Sequence, residues 1–172
     1  PKTPQDYMRL ALALARKSPP KPTNFRVGAV LVDESANAVL ATGYTLELPG
    51  NTHAEQCCLA KHAAAHGVAE ERVSEALARG GDGDAVIAIY TTMEPCAVRL
   101  SGNVPCVDRI VRTRGEDRKG GIAKVYSGVE EPEKFVGENK GRARLEACGI
   151  ECVHLPGFEE EILEVATAGH EK

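Results

Sequence analysis

A continuous apolar run near the middle of the chain limits the folds that are open to it. The run AVIAIY, from Ala85 to Tyr90, has the length of a strand and carries no charged residue on either face. Such a strand needs cover on both sides, as in a sheet that lies between two layers of helices. We therefore expect this run to be the central strand of an α/β protein.

Four further strands are predicted around the central one. Val27 to Val32 and Ala38 to Thr42 are rich in β-forming residues, and the polar stretch from Asp33 to Asn37 between them predicts a hairpin. Lys124 to Val129 and Ile150 to Val153 are separated by a helical segment, which implies a parallel crossover. The sequence thus predicts a mixed sheet with five strands.

Helical segments are predicted between and beside these strands from their apolar spacing, their helix-forming residues and the breakers at their ends. They run from Thr3 to Ser18, from Thr52 to His66, from Val68 to Arg79, from Val104 to Val111, from Gly137 to Cys148 and from Phe158 to Ala168. Neither a linker nor a repeat interrupts this order. We predict a single domain over residues 1–172 with a three-layer α/β/α fold.

Charge and composition argue against several classes of function. The net charge is -4 and the basic residues are scattered, so we expect no nucleic-acid partner. No apolar run approaches the ~20 residues that cross a bilayer, and no signal-like segment begins the chain, so we expect no membrane partner and a cytoplasmic location. Without signs of secretion, the 6 cysteines favour metal binding for some of them over a disulfide framework.

Three candidate metal ligands and one carboxylate form the predicted catalytic site. His53 and Glu55 lie two residues apart at a predicted helix start, and Cys96 and Cys106 each follow a proline. A catalytic zinc site holds three protein ligands and leaves its fourth position to water, whose pKa the metal lowers toward neutrality. A nearby carboxylate outside the ligand set can carry protons to a leaving nitrogen. We predict that His53, Cys96 and Cys106 bind Zn²⁺ and that Glu55 is the catalytic acid and base.

These motifs resemble the signature of the cytidine deaminase superfamily, H-x-E followed by P-C-x-x-C. The chain departs from the commonest form because nine residues (AVRLSGNVP) separate Cys96 from Cys106. This longer loop resembles that of the pyrimidine deaminases of riboflavin biosynthesis. Further stretches resemble the same branch: Asn24 to Val30, with Phe25 in place of the usual proline, Gly137 to Cys152, and Thr91 to Cys96 with the loop from Leu100 to Asn103, which is most similar to the fungal-type enzymes.

The resemblance implies a cytidine deaminase-like fold and a specific reaction. Fungal-type members act after the sugar is reduced, and 172 residues leave no room for a fused reductase domain. We therefore expect hydrolytic deamination of 2,5-diamino-6-ribitylamino-4(3H)-pyrimidinone 5'-phosphate to 5-amino-6-ribitylamino-2,4-pyrimidinedione 5'-phosphate and ammonia.

The resemblance also implies a substrate-binding role for Asn24, as the residue that grips the ring amide of this phosphorylated pyrimidine. For the phosphate we expect donors from the loop beside the metal. The residues of this loop that we predict as substrate contacts are Arg99, Ser101, Gly102 and Asn103. An apolar helix face left over after the sheet is covered would allow a homo-oligomer, for which we expect a dimer.

Two alternative functions use the same residues. The same chemistry would serve another pyrimidine nucleotide or nucleoside, of the deoxycytidylate or cytidine type, whereas a tRNA adenosine conflicts with the acidic balance of the chain. A non-catalytic zinc-binding partner subunit would keep the ligands, although Glu55 and the open fourth position argue against it.

Some individual residues also have two interpretations. Cys57 lies four residues after His53 and is an alternative ligand, but a buried packing role is the commoner one for such a cysteine. Glu47 and Asn51, just before His53, are either substrate contacts or turn residues. We expect the remaining cysteines, Cys148 and Cys152, to be packing or incidental thiols, and the other histidines, His62, His66, His154 and His170, to lie at the surface or at helix caps.

Overall fold

The protein forms one mixed sheet of five strands in the order β2-β1-β3-β4-β5. The computed structural model describes residues 3–78, 86–97, 99, 103–114, 120–130 and 140–170. The strands are β1 (Gly28–Asp33), β2 (Ala38–Tyr44), β3 (Ile87–Met93), β4 (Ile122–Val129) and β5 (Glu151–His154). β1 is antiparallel to β2 and β3, while β3, β4 and β5 are mutually parallel. The predicted hairpin, parallel crossover and central strand are confirmed.

Helices cover both faces of this sheet. They are α1 (Pro4–Ala15), α2 (Ala54–Ala65), α3 (Val73–Ala78), α4 (Cys106–Val111), α5 (Lys140–Ala147) and α6 (Glu159–Ala166). Apolar residues of α2, α3, α4 and α5 pack on one face, and those of α1 and α6 pack on the other. Along β3, Ile87 and Ile89 face the first layer, whereas Ala88 and Tyr90 face the second. The three-layer α/β/α prediction is confirmed.

The ends of some elements differ from the sequence-based expectation. β3 runs to Met93, beyond the predicted end at Tyr90, because Thr91 and Thr92 are 0% exposed and continue the strand into the interior. Val68 to Arg79 is not one helix: a 3-10 turn over Glu70–Arg72 precedes α3, and Arg79 lies outside the described residues. The start of the predicted central strand, Ala85, and residues 137–139 of the predicted helix also lie outside them.

Two glycines allow helices to approach the sheet closely at the end where the predicted ligands lie. A Cβ atom on Gly28 would lie 1.8 Å from the Ala11 carbonyl oxygen, so the backbone of α1 rests directly on β1. A Cβ atom on Gly43 would lie 2.3 Å from the Ala54 carbonyl oxygen, so the first turn of α2 rests on β2 in the same way. Close backbone approach of this kind is open only to glycine, and it fixes the position of the residues that begin α2.

His62 corrects the expectation that the remaining histidines lie at the surface or at caps. Its side chain is 5% exposed on the buried face of α2, and burial lowers the pKa of its imidazole. His66 does end α2 as its C-terminal cap residue, as predicted. Among the described helices, none is long and apolar enough to cross a membrane.

Candidate active site

The three predicted metal ligands come together at one end of the sheet. His53 immediately precedes α2, Cys96 follows the end of β3, and Cys106 is the first residue of α4. Their ligand atoms all lie within 4.8 Å of one another, and His53 Nδ1 lies 3.6 Å from each of the two sulfurs. A tetrahedral zinc ion with Zn–N and Zn–S bonds of about 2.0 and 2.3 Å would separate nitrogen from sulfur by about 3.5 Å. The donor set therefore fits zinc in both chemistry and spacing.

The thiols of Cys96 and Cys106 differ in their pKa values. The hydrogen bond with Cys106 and the nearby His53 ring lower the pKa of Cys96. The same hydrogen bond and burial raise the pKa of Cys106. The backbone N–H of Cys106 also donates to Cys96 Sγ, at 3.3 Å. The lowered pKa favours the thiolate form of Cys96, which is the form that binds metals.

Cys57 is separate from this group. Its thiol is fully buried on α2, where burial raises its pKa, and it is not part of the His53 cluster. Within the described part of the chain, no other histidine, cysteine or carboxylate joins the three ligand atoms. Three ligands without a fourth are typical of catalytic zinc sites, in which one position takes water or substrate.

The Glu55 carboxylate lies in the first turn of α2 and is 4% exposed. Its Oε1 atom lies 2.6 Å from the hydroxyl of Thr91, whose oxygen is also 2.7 Å from the Met93 carbonyl. A hydroxyl group has a single proton and can also accept one. Thr91 can therefore donate to an ionised Glu55, or accept from a protonated Glu55 and donate to Met93. No local sequence pattern indicates this role for Thr91, because the role depends on where β3 ends.

A pocket of about 170 Å³ opens beside the ligands and Glu55. Its walls come from the loop before β1, from the start of α2 and from the segment that follows β3. The lining residues are Thr23, Asn24, Phe25, Val27, Thr45, His53, Ala54, Glu55, Met93, Glu94 and Cys96. Asn24, which sequence analysis predicts as a substrate contact, is thus in the same pocket as Glu55.

Other predicted substrate contacts lie elsewhere. Glu47 pairs with Lys61 Nζ at 2.8 Å and is not among the lining residues, which favours its structural interpretation. Asn51 is exposed, and Asn103 is exposed in the loop before α4. Ser101 and Gly102 lie outside the described residues. Their roles in substrate binding stay predictions.

Arg99 contacts residues on either side of His53 in the sequence and is not among the residues that line the pocket. It is 9% exposed, and its two terminal nitrogens contact Gln56 Oε1 at 3.1 Å and the Asn51 carbonyl at 2.5 Å. Gln56 Oε1 in turn accepts from the backbone N–H of His53 at 3.3 Å. Arg99 therefore holds the turn that carries His53, while a contact between Arg99 and a phosphate stays a prediction.

Comparison with known proteins agrees with this geometry. Residues 1–119 match the family described as "Cytidine and deoxycytidylate deaminase zinc-binding region". The chain belongs to this deaminase family. The match includes all three predicted ligands and Glu55.

Within the deaminase family, this member is similar to a fungal Rib2 deaminase. The Rib2 deaminase of Aspergillus oryzae superimposes with a TM-score of 0.88 at 54% identity, over 98% of this chain and 92% of that one. The same enzyme in complex with DARIPP gives a TM-score of 0.87 at 52% identity, over 98% and 93% of the two chains.

A curated relative supports the same branch of the deaminase family. The diaminohydroxyphosphoribosylamino-pyrimidine deaminase of Schizosaccharomyces pombe is 34% identical over 166 residues, which cover 96% of this chain. The chain spans 35% of the length of that relative. The resemblance inferred from the motifs is confirmed.

Zinc content tests the ligand set of this member of the deaminase family. We expect the wild-type protein to hold about one zinc ion per chain, and Cys96→Ala and Cys106→Ala each to lose it, because two ligands leave the site too weak. Cys57→Ala, the matched control, should keep the ion. Zinc is measured by plasma emission spectrometry on the purified proteins, and loss of zinc from Cys57→Ala alone would exclude His53, Cys96 and Cys106 as the ligand set.

Thr91→Val tests the contact with Glu55. The change removes one hydroxyl at nearly constant volume. We expect kcat for ammonia release to fall about 10- to 100-fold, as for loss of a hydrogen bond to a charged group. Zinc content should stay unchanged. Thr92→Val is the control, since its hydroxyl is equally buried but accepts from the Gly28 backbone N–H. Equal kcat values for Thr91→Val and the wild type would show that Thr91 does not act on Glu55.

Proposed function

We propose that this chain is a zinc-dependent hydrolytic deaminase of 2,5-diamino-6-ribitylamino-4(3H)-pyrimidinone 5'-phosphate, which it converts to 5-amino-6-ribitylamino-2,4-pyrimidinedione 5'-phosphate and ammonia in riboflavin biosynthesis. The observation that carries the proposal is the position of the Glu55 carboxylate, which lies beside the His53 and Cys96 ligands in a pocket that also contains Asn24.

The reaction replaces the amino group on C2 of the pyrimidine ring with the oxygen of a water molecule. Zinc held by His53, Cys96 and Cys106 would lower the pKa of that water toward neutrality. Glu55 accepts one proton from the water and delivers it to the ring nitrogen next to C2. It accepts the second proton as the ring carbonyl forms and delivers it to the amino group, which leaves as ammonia. Both protons of the water are thus accounted for.

The surroundings of Glu55 suit a group that changes its protonation state twice. A fixed donor would stabilise only the carboxylate and oppose its protonation. The Thr91 hydroxyl instead lies between Glu55 and the Met93 carbonyl, so it can hydrogen-bond to either form of the carboxyl group. Burial of this pair keeps competing water away from the shuttle.

Recognition of the pyrimidine ring rests on Asn24. Its carboxamide offers one acceptor and two donor hydrogens, which matches the acceptor and donor of a ring amide. Asn24 is half-buried in the lining of the pocket, where an edge of the ring would meet it while C2 points to Glu55.

The choice of substrate rests on the fungal relatives. The Aspergillus oryzae Rib2 deaminase is 52% identical to this chain and has a structure in complex with DARIPP. The name of the Schizosaccharomyces pombe relative instead contains a phosphoribosylamino-pyrimidine, whose sugar is not reduced. The family description, which names cytidine and deoxycytidylate, supports a second candidate, deamination of a cytosine nucleotide or nucleoside.

Ammonia release from a panel of compounds separates these candidates. The panel contains the ribitylamino and ribosylamino forms of the diaminopyrimidine phosphate, cytidine and deoxycytidylate. We expect the ribitylamino compound to have the highest kcat/KM. Turnover of cytidine or deoxycytidylate without turnover of either diaminopyrimidine would replace this proposal with the second candidate.

Glu55→Gln tests the proton shuttle within this proposal. The amide fills the same space but cannot carry protons between water and ring, so we expect the rate of ammonia release to fall about 10²- to 10⁴-fold. Zinc content should stay at the wild-type value. Glu34→Gln is the matched control, because Glu34 is also a partly buried carboxylate but lies beside Lys124 at the opposite end of the sheet. Full turnover by Glu55→Gln would overturn the assignment.

A further inference from the structure

The two cysteine ligands are joined by a spacer that does not by itself fix the distance between them. Nine residues separate Cys96 from Cys106, and a chain of this length could extend to about 33 Å. The ligand atoms nevertheless lie within 4.8 Å of one another. In the commonest form of the signature the cysteines are only two residues apart, so the chain itself keeps them close. Here, other contacts must hold Cys106 in place.

Two backbone hydrogen bonds join the start of α4 to Cys96. The N–H of Cys106 donates to Cys96 Sγ at 3.3 Å, and the N–H of Val107 donates to the Cys96 carbonyl at 3.0 Å. Both contacts require that the first turn of α4 is formed. This helix has only 6 residues, and a helix of that length is not stable in water without tertiary contacts. Side chains must therefore stabilise its start.

Arg109 makes such a contact from within α4. It lies one helical turn after Cys106, and its Nε atom donates to the Val104 carbonyl at 3.1 Å. Side chains on a helix point toward its N-terminus, which brings the guanidinium back to the residues that precede α4. Val104 lies in the spacer, two positions before the ligand. Arg109 thus holds the end of the spacer against the helix that Cys106 begins.

Glu70 holds the guanidinium of Arg109 in turn. The Arg109 side chain is 8% exposed, and one of its terminal nitrogens forms an ion pair with Glu70 Oε1. A charge at this depth needs a partner, because an unpaired buried charge is strongly destabilising. Glu70 begins the 3-10 turn after α2, the helix that carries Glu55 in its first turn. The ion pair therefore links α4 to the segment that follows α2.

We propose that Arg109 is a positioning residue for the zinc ligand Cys106, and that Glu70 holds Arg109 in this role. The contact that matters for the metal is the hydrogen bond to the Val104 carbonyl, since it fixes the chain just before the ligand. Without it the start of α4 can move, and the Cys106 sulfur is held less firmly for zinc. This inference rests on the proposed function for the zinc site, and it adds the residues that retain zinc there.

Two substitutions separate the two contacts of Arg109. In Arg109→Gln the amide nitrogen takes the position of Nε along the side chain, so it can still donate to Val104 but has no charge for Glu70. In Arg109→Lys a carbon takes that position, while the terminal ammonium can still pair with Glu70. Both variants should fold, because the lysine keeps the ion pair and because Glu70 also contacts Arg112, at 3.4 Å.

The measurement is the zinc Kd of each purified protein, from competition with a chromogenic chelator and without substrate. We expect Arg109→Lys to raise Kd about 10-fold, the lower end of the usual loss for a residue that orients a metal ligand. Arg109→Gln should stay close to the wild-type value. A residue that only stabilised the fold through its ion pair would give the reverse order of the two variants.

Arg112→Lys is the matched control. Arg112 contacts the same Glu70 oxygen, but it lies at the C-terminal end of α4, away from the ligand. Its substitution by lysine should leave the zinc Kd unchanged. An equal rise for Arg112→Lys would show that any change beside Glu70 weakens zinc binding, and it would overturn the specific role of Arg109.

The remaining outcomes decide the inference as follows. An unchanged Kd for Arg109→Lys, or an equal or larger rise for Arg109→Gln, overturns it. If Arg109→Gln does not fold, a rise in Kd that is confined to Arg109→Lys supports the inference.

The proposed function is judged separately, by ammonia release from the wild type. A wild type that binds zinc but releases no ammonia contradicts the proposed function, while the Kd values still decide the role of Arg109. A wild type that binds no zinc overturns the inference as well.

Discussion

The convergence of one imidazole nitrogen and two sulfurs at the end of the sheet is the constraint on which the rest of the structure depends. The three atoms come from chain positions separated by a helix, a buried strand and a loop, yet they lie within 4.8 Å of one another. That requires α2 to begin, β3 to end and α4 to begin at the same place. Gly43 meets the first requirement, because the backbone of α2 touches β2 there.

The same arrangement connects the metal ligands with acid and base chemistry. Glu55 follows His53 by two residues, so the helix start that places the ligand also turns the carboxylate toward the end of β3. There it meets Thr91, which the buried strand holds 2.6 Å away. Arg99 and Gln56 stabilise the turn from the other side through the His53 backbone. The ligand His53, the proton shuttle Glu55 and the supporting residues Arg99 and Gln56 are thus in contact with one another or with the same turn.

Structural features that depend on residues close in sequence could be predicted from local patterns. Features that depend on tertiary packing could not. The strand AVIAIY, the hairpin and the ligand motifs are visible because each is a short run with its own chemistry. The guanidinium of Arg99 could serve a phosphate or a backbone carbonyl equally well, and only the fold brings Asn51 to it. His62 has no sequence feature that marks it as buried. The contact of Arg109 with Glu70 joins residues too far apart in sequence for any local pattern to show.

X-ray absorption at the zinc edge of the purified protein tests the central claim most directly, because it reports the atoms bound to the metal. The account predicts two sulfur neighbours at about 2.3 Å and two nitrogen or oxygen neighbours at about 2.0 Å, one from imidazole and one exchangeable. The exchangeable neighbour should change when a substrate analogue is added. A shell with three or four sulfurs, which would include Cys57, or a shell without sulfur would contradict the account.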